Sequence, residues 1–103
     1  MQIGIVKGNV VSTNKAEKLS GLKLLIVKPI SIETFTEKGD VFVAIDTVGS
    51  GEGEVVLCVG GSSSRQTRIT ENKPVDQSII AIIDHVDIDG DRVFEKFSAE
   101  EQQ

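Results

Sequence analysis

The sequence predicts one mostly-β domain, and three observations carry that expectation. Val (13) and Ile (12) dominate the apolar residues of the 103-residue chain, against five Leu and four Ala. Branched Cβ atoms sit well on a pleated sheet and lose rotamer freedom in a helix. Ten glycines punctuate these β-formers into short runs. Asp89-Gly90, set between Ile79–Ile88 and Asp91–Phe94, is a two-residue hairpin signal, because both residues tolerate the positive φ angles of a primed turn. At this length the chain buries roughly two-thirds of its unfolded surface, enough for one modest core.

The elements follow in order. Residues 2–12 read as a strand interrupted by Gly4 and Gly8, where a bulge or a close backbone approach is expected. Thr13 to Gly21 is a polar connection. Leu22 to Ile32 reads as a long apolar strand that breaks or becomes an edge at Pro29, which has no amide proton to donate. Glu33 to Asp40 is a charged loop, Val41 to Val48 a strand, Gly49 to Gly53 a glycine loop, and Glu54 to Val59 a strand. Gly60 to Pro74 is polar and irregular, with a short helical turn expected at Ser62–Gln66. Ile79 to Ile88 reads as a strong strand, with Asp91 to Phe94 as the short return strand of the hairpin. A helical turn is expected over Phe94–Glu101. Five main strands with glycine kinks suit a small closed barrel, although spacing alone does not separate a barrel from a sandwich.

Composition excludes several functions. One cysteine, Cys58, forms no internal disulfide, and with one histidine, His85, it supplies no Cys/His zinc cage. Trp and Tyr are absent, only four Phe are present, and the formal charge is −5. Single-stranded nucleic acid calls for stacking aromatics over a basic floor, so no nucleic-acid partner is expected. No apolar run approaches the ~20 residues of a membrane helix and the N-terminus does not read as a signal peptide, so a cytoplasmic protein with no membrane partner is expected. The charge is uneven: residues 84–103 hold seven acids against Arg92 and Lys96, whereas residues 1–83 carry nine of each sign. The acidic end, residues 95–103, reads as a solvated turn or tail appended to a domain spanning residues 1–94.

Four motifs invite chemistry. Gly49-Ser50-Gly51-Glu52-Gly53-Glu54 is glycine-rich, but it runs into a strand rather than opening a helix, and its glutamates repel phosphate. A plain β–β loop is the simpler reading, yet three glycines in five residues cost entropy on folding and point to tight backbone apposition. Gly60-Gly61-Ser62-Ser63-Ser64-Arg65 has the makings of a small-anion nest, but no base is linked to its serines. His85 to Asp91 superficially resembles a calcium loop, but it places His85 first and Lys96 last where Asp and Glu are needed. Cys58 lies within a strand pattern and reads as a buried, inert thiol. With no activated nucleophile, carboxylate pair or metal cluster, neither an enzyme nor a cofactor is expected.

The motifs in series resemble one family. Met1–Thr13 and Leu22–Pro29, then Val43-Ala44-Ile45-Asp46-Thr47-Val48-Gly49-Ser50-Gly51-Glu52-Gly53-Glu54-Val55-Val56-Leu57, are similar to the EutN/CcmL family of bacterial microcompartment vertex proteins. Gly61–Arg65, Pro74-Val75-Asp76 and Ile82-Ile83-Asp84 follow in family order, so the resemblance spans residues 1–88. It implies a five-stranded barrel of the oligonucleotide-binding type with short helical turns, assembled as a cyclic homopentamer. Such a ring plugs the vertices of a polyhedral shell built otherwise from hexameric shell proteins. The resemblance also implies that Gly49, Ser50, Gly51, Glu52, Gly53 and Glu54 face neighbouring shell tiles, with Glu52 and Glu54 as acceptors. It further places Ser62, Ser63, Ser64 and Arg65 near a five-fold pore. Ser50 and Ser64 stand where the family more often has Ala. The alternative is a barrel of the same type that binds a small ligand or nucleic acid.

Overall fold

The computed structural model describes residues 1–12, 21–60 and 77–96. Among the described residues seven strands are formed: β1 (Gln2–Val10), β2 (Lys23–Pro29), β3 (Phe42–Asp46), β4 (Val55–Gly60), β5 (Gln77–Ile82), β6 (His85–Ile88) and β7 (Asp91–Glu95). The first five close a barrel in the order β1-β2-β3-β5-β4, while β6 and β7 pair in a separate two-stranded sheet. The barrel alternative is therefore the one realised. Closure depends on a short parallel seam between β3 and β5, only Ile45↔Ser78 and Asp46↔Ile79; the other barrel pairings are antiparallel.

The interior is filled by Val6, Leu25, Val27, Ala44, Val56, Cys58 and Ile79, with Phe42 and Ile82 packed against them. Each fully buried Val, Leu or Ile contributes roughly 1.5–3 kcal/mol relative to exposure. Val43 and Val41, beside this interior in sequence, are half exposed. Alternation along the pleat thus places Val43 on the outer wall and its neighbour Ala44 inside.

Both glycines of β1 have the geometry expected of them. The register of β1 against β2 shifts between Val6 and Gly8, a bulge that leaves Lys7 without a register partner on β2 just before Gly8. At Gly4 a Cβ would overlap Val27 Cγ1 and lie 2.8 Å from the Lys28 carbonyl oxygen, so strand β2 passes too close for any side chain. β2 ends at Pro29, and beyond it only Ile30 makes an isolated bridge, to Glu37.

Two expectations are corrected. Ile79–Ile88 is not one strand but β5 and β6, broken at Ile83 and Asp84. The backbone hydrogen bonds on the two sides of the break go to different strands. The Ile83 amide donates to the Val55 carbonyl at 2.8 Å, and the Asp84 carbonyl accepts from the Lys96 amide at 2.8 Å. The first bond extends the β4–β5 pairing by one rung and the second extends the β6–β7 pairing, so the chain changes pairing partner between Ile83 and Asp84. The helical turn expected from Phe94 is displaced, because Phe94 and Glu95 belong to β7 and only Lys96 is helical among the described residues. The helical turn expected at Ser62–Gln66 lies outside the described residues. Asp89 and Gly90 form the hairpin turn, with φ of 51° and 84° and Ile88 paired to Asp91.

Candidate assembly surface

The glycine loop hangs between the end of β3 and the start of β4 and is gripped at both ends. On the β3 side the grip is Asp46, whose side chain is almost wholly buried. Its Oδ1 accepts the Ser50 hydroxyl at 2.9 Å and the Val48 amide at 3.2 Å. An acidic side chain bonding a backbone amide two residues on mimics a turn, which is why Asp favours this position. Lys23 of β2 donates to the Ser50 carbonyl at 2.8 Å and stands 3.9 Å from Asp46 Oδ2. The buried carboxylate is thereby hydrogen-bonded and paired, as burial of charge requires. Thr47 is fixed through its amide at 3.2 Å and its hydroxyl at 2.6 Å, both donating to the Ile79 carbonyl.

On the β4 side the grip is Glu54. Its Oε1 accepts the Gly51 amide at 2.7 Å and its Oε2 accepts Lys96 Nζ at 2.8 Å. The Lys96 hydrogen bond, and after it the Gly51 amide, hold this carboxyl below the usual carboxylate range. The backbone is stitched to β1 by Gly53 N donating to the Val6 carbonyl at 2.8 Å and Val6 N donating to the Glu54 carbonyl at 3.0 Å. Between the grips, Gly49 (φ +78°) and Gly53 (φ +86°) occupy the left-handed region that side chains resist.

The six loop residues expected to face neighbours therefore divide. Ser50 is fully buried and organises the loop from within. Glu54 is half-buried with both carboxylate oxygens engaged inside the protomer. Gly49, Glu52 and Gly53 are exposed, Gly51 is half-buried, and Val48 joins them at the surface. Ser62, Ser63, Ser64 and Arg65 lie outside the described residues.

Sequence reasoning missed the roles of Asp46, Lys23 and Lys96. Asp46 had a local signal, an acid ending a strand before a glycine loop. Lys23 and Lys96 had none, being distant in the chain.

Elsewhere, Arg92 donates to Asp87 Oδ1 at 2.8 Å and to Glu95 Oε1 at 2.9 Å across the exposed face of the hairpin. The His85–Asp91 segment is thus a strand and turn closed by an ion pair. Among the described residues no group of three or more His, Cys, Asp or Glu side chains is placed to hold a metal. Cys58 is fully buried, and burial pushes its thiol up to about 12.

The family model described as "Ethanolamine utilisation protein EutN/carboxysome" matches residues 1–84. The shell vertex protein GrpN of Rhodospirillum rubrum is 42% identical over 84% of this chain and 97% of its own length. The shell vertex protein EutN of Salmonella typhimurium is 42% identical over 93% and 96%. Among solved structures, CcmL of Gloeobacter violaceus superposes with a TM-score of 0.89 at 40% identity, covering 94% of this chain and 99% of that one. GrpN of Rhodospirillum rubrum, described as a pentameric microcompartment shell protein, superposes at 0.77 with 41% identity, covering 85% and 99%. With the family model matching residues 1–84 and relatives 42% identical over most of both chains, the chain belongs to the EutN/CcmL family of microcompartment shell vertex proteins.

Proposed function

We propose that five copies of this chain close into a ring that caps a vertex of a bacterial microcompartment in the cytoplasm. In this reading the ring is a structural part without catalysis, and its glycine loop meets neighbouring hexameric shell proteins. The observation that carries the reading is the likeness, over most of the chain, to a relative solved as a pentameric shell protein. Closed rings repeat one head-to-tail interface, and a barrel with half-exposed valines on its outer wall has apolar surface to give to one. The filled interior argues against the ligand-binding alternative, since Val6, Val27, Val56, Cys58 and Ile79 occupy the lumen. The net charge of −5 argues against nucleic acid.

Native mass spectrometry tests the ring, which has an expected mass of about 55 kDa, five times 11.1 kDa. Monomer alone at micromolar concentration contradicts it. Gly51→Trp, co-produced with cognate shell hexamers, tests the loop. Gly51 has a negative-φ backbone, and a Cβ there meets nothing nearer than Glu54 Oε1 at 3.8 Å, so the protomer itself accommodates the start of a side chain. The expected result is a soluble ring of normal mass with shells open at their vertices. Closed shells with the mutant incorporated overturn the tile-facing assignment.

A further inference from the structure

The C-terminal hairpin β6–β7 lies beyond the family-matched residues 1–84 and forms a sheet of its own, yet it reaches back to the glycine loop. Its base is fixed on both sides. The Lys96 amide donates to the Asp84 carbonyl, and the adjacent Ile83 amide donates to Val55, the residue after Glu54. This places Lys96 Nζ 2.8 Å from Glu54 Oε2, with only about a quarter of each side chain exposed. The other oxygen of the same carboxylate holds the Gly51 amide at 2.7 Å. Gly51 lies between two glycines in the left-handed region and has no side chain to restrain it. The Asp46–Ser50 grip fixes the first half of the loop, and Glu54 with its lysine fixes the second.

We propose that Lys96 is a positioning residue for the 49–54 loop: from the base of the hairpin it holds Glu54, and through Glu54 the Gly51 amide, in the shape the loop presents to its neighbours. The hairpin thereby acts as a strut for the loop. The importance of that shape for assembly rests on the tile-facing reading above; the coupling itself does not.

The test is hydrogen–deuterium exchange on the full-length protein, comparing the segment 47–54 with the barrel strands. Lys96→Met keeps the aliphatic stem and removes the charge. The expected result is exchange of the loop segment about fivefold faster, with β4 and β5 unchanged and the oligomer mass unaltered. Lys96→Arg restores slow exchange. Glu54→Gln, which keeps an acceptor for Gly51, reproduces the Lys96→Met rate, and the double variant adds nothing further. Loop exchange that stays at the wild-type rate in Lys96→Met overturns the proposal. So does faster exchange spread through the whole barrel, or failure of Arg to restore it. If the loop loosens as expected while the variant still closes shells, the positioning role stands and the tile-facing reading fails.

Discussion

Phe35 and Phe94 stack with ring centroids 4.8 Å apart and planes 5° from parallel, joining the β2–β3 connection to the C-terminal hairpin. Phe35 holds φ at +54° to do so, a left-handed conformation that costs a residue with a Cβ roughly 1–2 kcal/mol. A stacked aromatic pair returns about 0.5–1.5 kcal/mol beyond the area it buries. A lone two-stranded hairpin is marginal in water, so β6–β7 depends on such outside fastenings.

Phe94→Ala should therefore release the far end of the hairpin and spare the barrel. The expected outcome is a loss of amide protection confined to residues 85–95, worth about 1 kcal/mol locally, with the strands around Cys58 and Ile79 keeping theirs. Residue-resolved hydrogen exchange reads both at once. Unchanged protection in the hairpin would show that the stack fastens nothing.

Gly4 and Gly8 stand four residues apart on one strand and should respond oppositely to a methyl group. A Cβ at Gly4 overlaps Val27 Cγ1 and crowds backbone of β2, which has no rotamer to give. Gly4→Ala should cost about 1–3 kcal/mol or more, as overpacking does. At Gly8 the nearest atoms to an added Cβ are Glu52 Oε1 at 3.7 Å and Ile26 Cδ1 at 4.0 Å, ordinary contacts. Gly8→Ala should change stability by no more than about 0.5 kcal/mol. Denaturant midpoints at one fixed protein concentration decide it, since an oligomer's apparent stability moves with concentration.

These two glycines were legible because a Gly inside an apolar strand has few other reasons to be there. The Asp89–Gly90 turn was legible because its chemistry is local. The break between β5 and β6 was not. Ile82-Ile83 continues an unbroken apolar run, and the change of partner there, from Val55 at Ile83 to Lys96 at Asp84, involves residues remote in sequence. The parallel seam of β3 with β5 is equally invisible along the chain. Within the candidate surface the glycines announced a loop, but a serine in a polar segment gave no sign of being fully buried against Asp46. Glu54 read as an acceptor for another protein because its partner Lys96 stands 42 residues away.

Cys58 should be silent to thiol reagents in the folded protein. Its side chain is fully buried between Val56 and Ile79 in the barrel core, and burial raises the thiol to about 12. The thiolate is the reactive species, so almost none exists at neutral pH. A colorimetric disulfide reagent at about pH 8 should react only at the rate of unfolding, and at once in denaturant. Rapid labelling of the native protein would contradict the burial.

Glu54 should give the loop an acid-sensitive hold. Its folded pKa is depressed, chiefly by the Lys96 hydrogen bond and then by the Gly51 amide, below the 4.5 of an unperturbed glutamate. A group depressed on folding stabilises the folded state fully above its unfolded pKa. That contribution fades as pH falls through the interval down to the folded value. The loop should therefore keep its protection at neutral pH and lose it progressively below about pH 5. Protonation removes the ionic partner of Lys96 while leaving Oε1 able to accept from Gly51. Glu54→Gln removes the titrating group and should flatten this part of the acid profile. Exposed Asp87, also depressed by its Arg92 hydrogen bond, titrates in both proteins and cancels in the comparison. The measurement is loop exchange from pH 7 to about pH 3, corrected for intrinsic rates, in wild type and Glu54→Gln. Parallel profiles would mean that the Glu54 charge does not hold the loop; convergence of the two proteins at low pH, with wild type better protected at neutral pH, is the outcome the geometry requires.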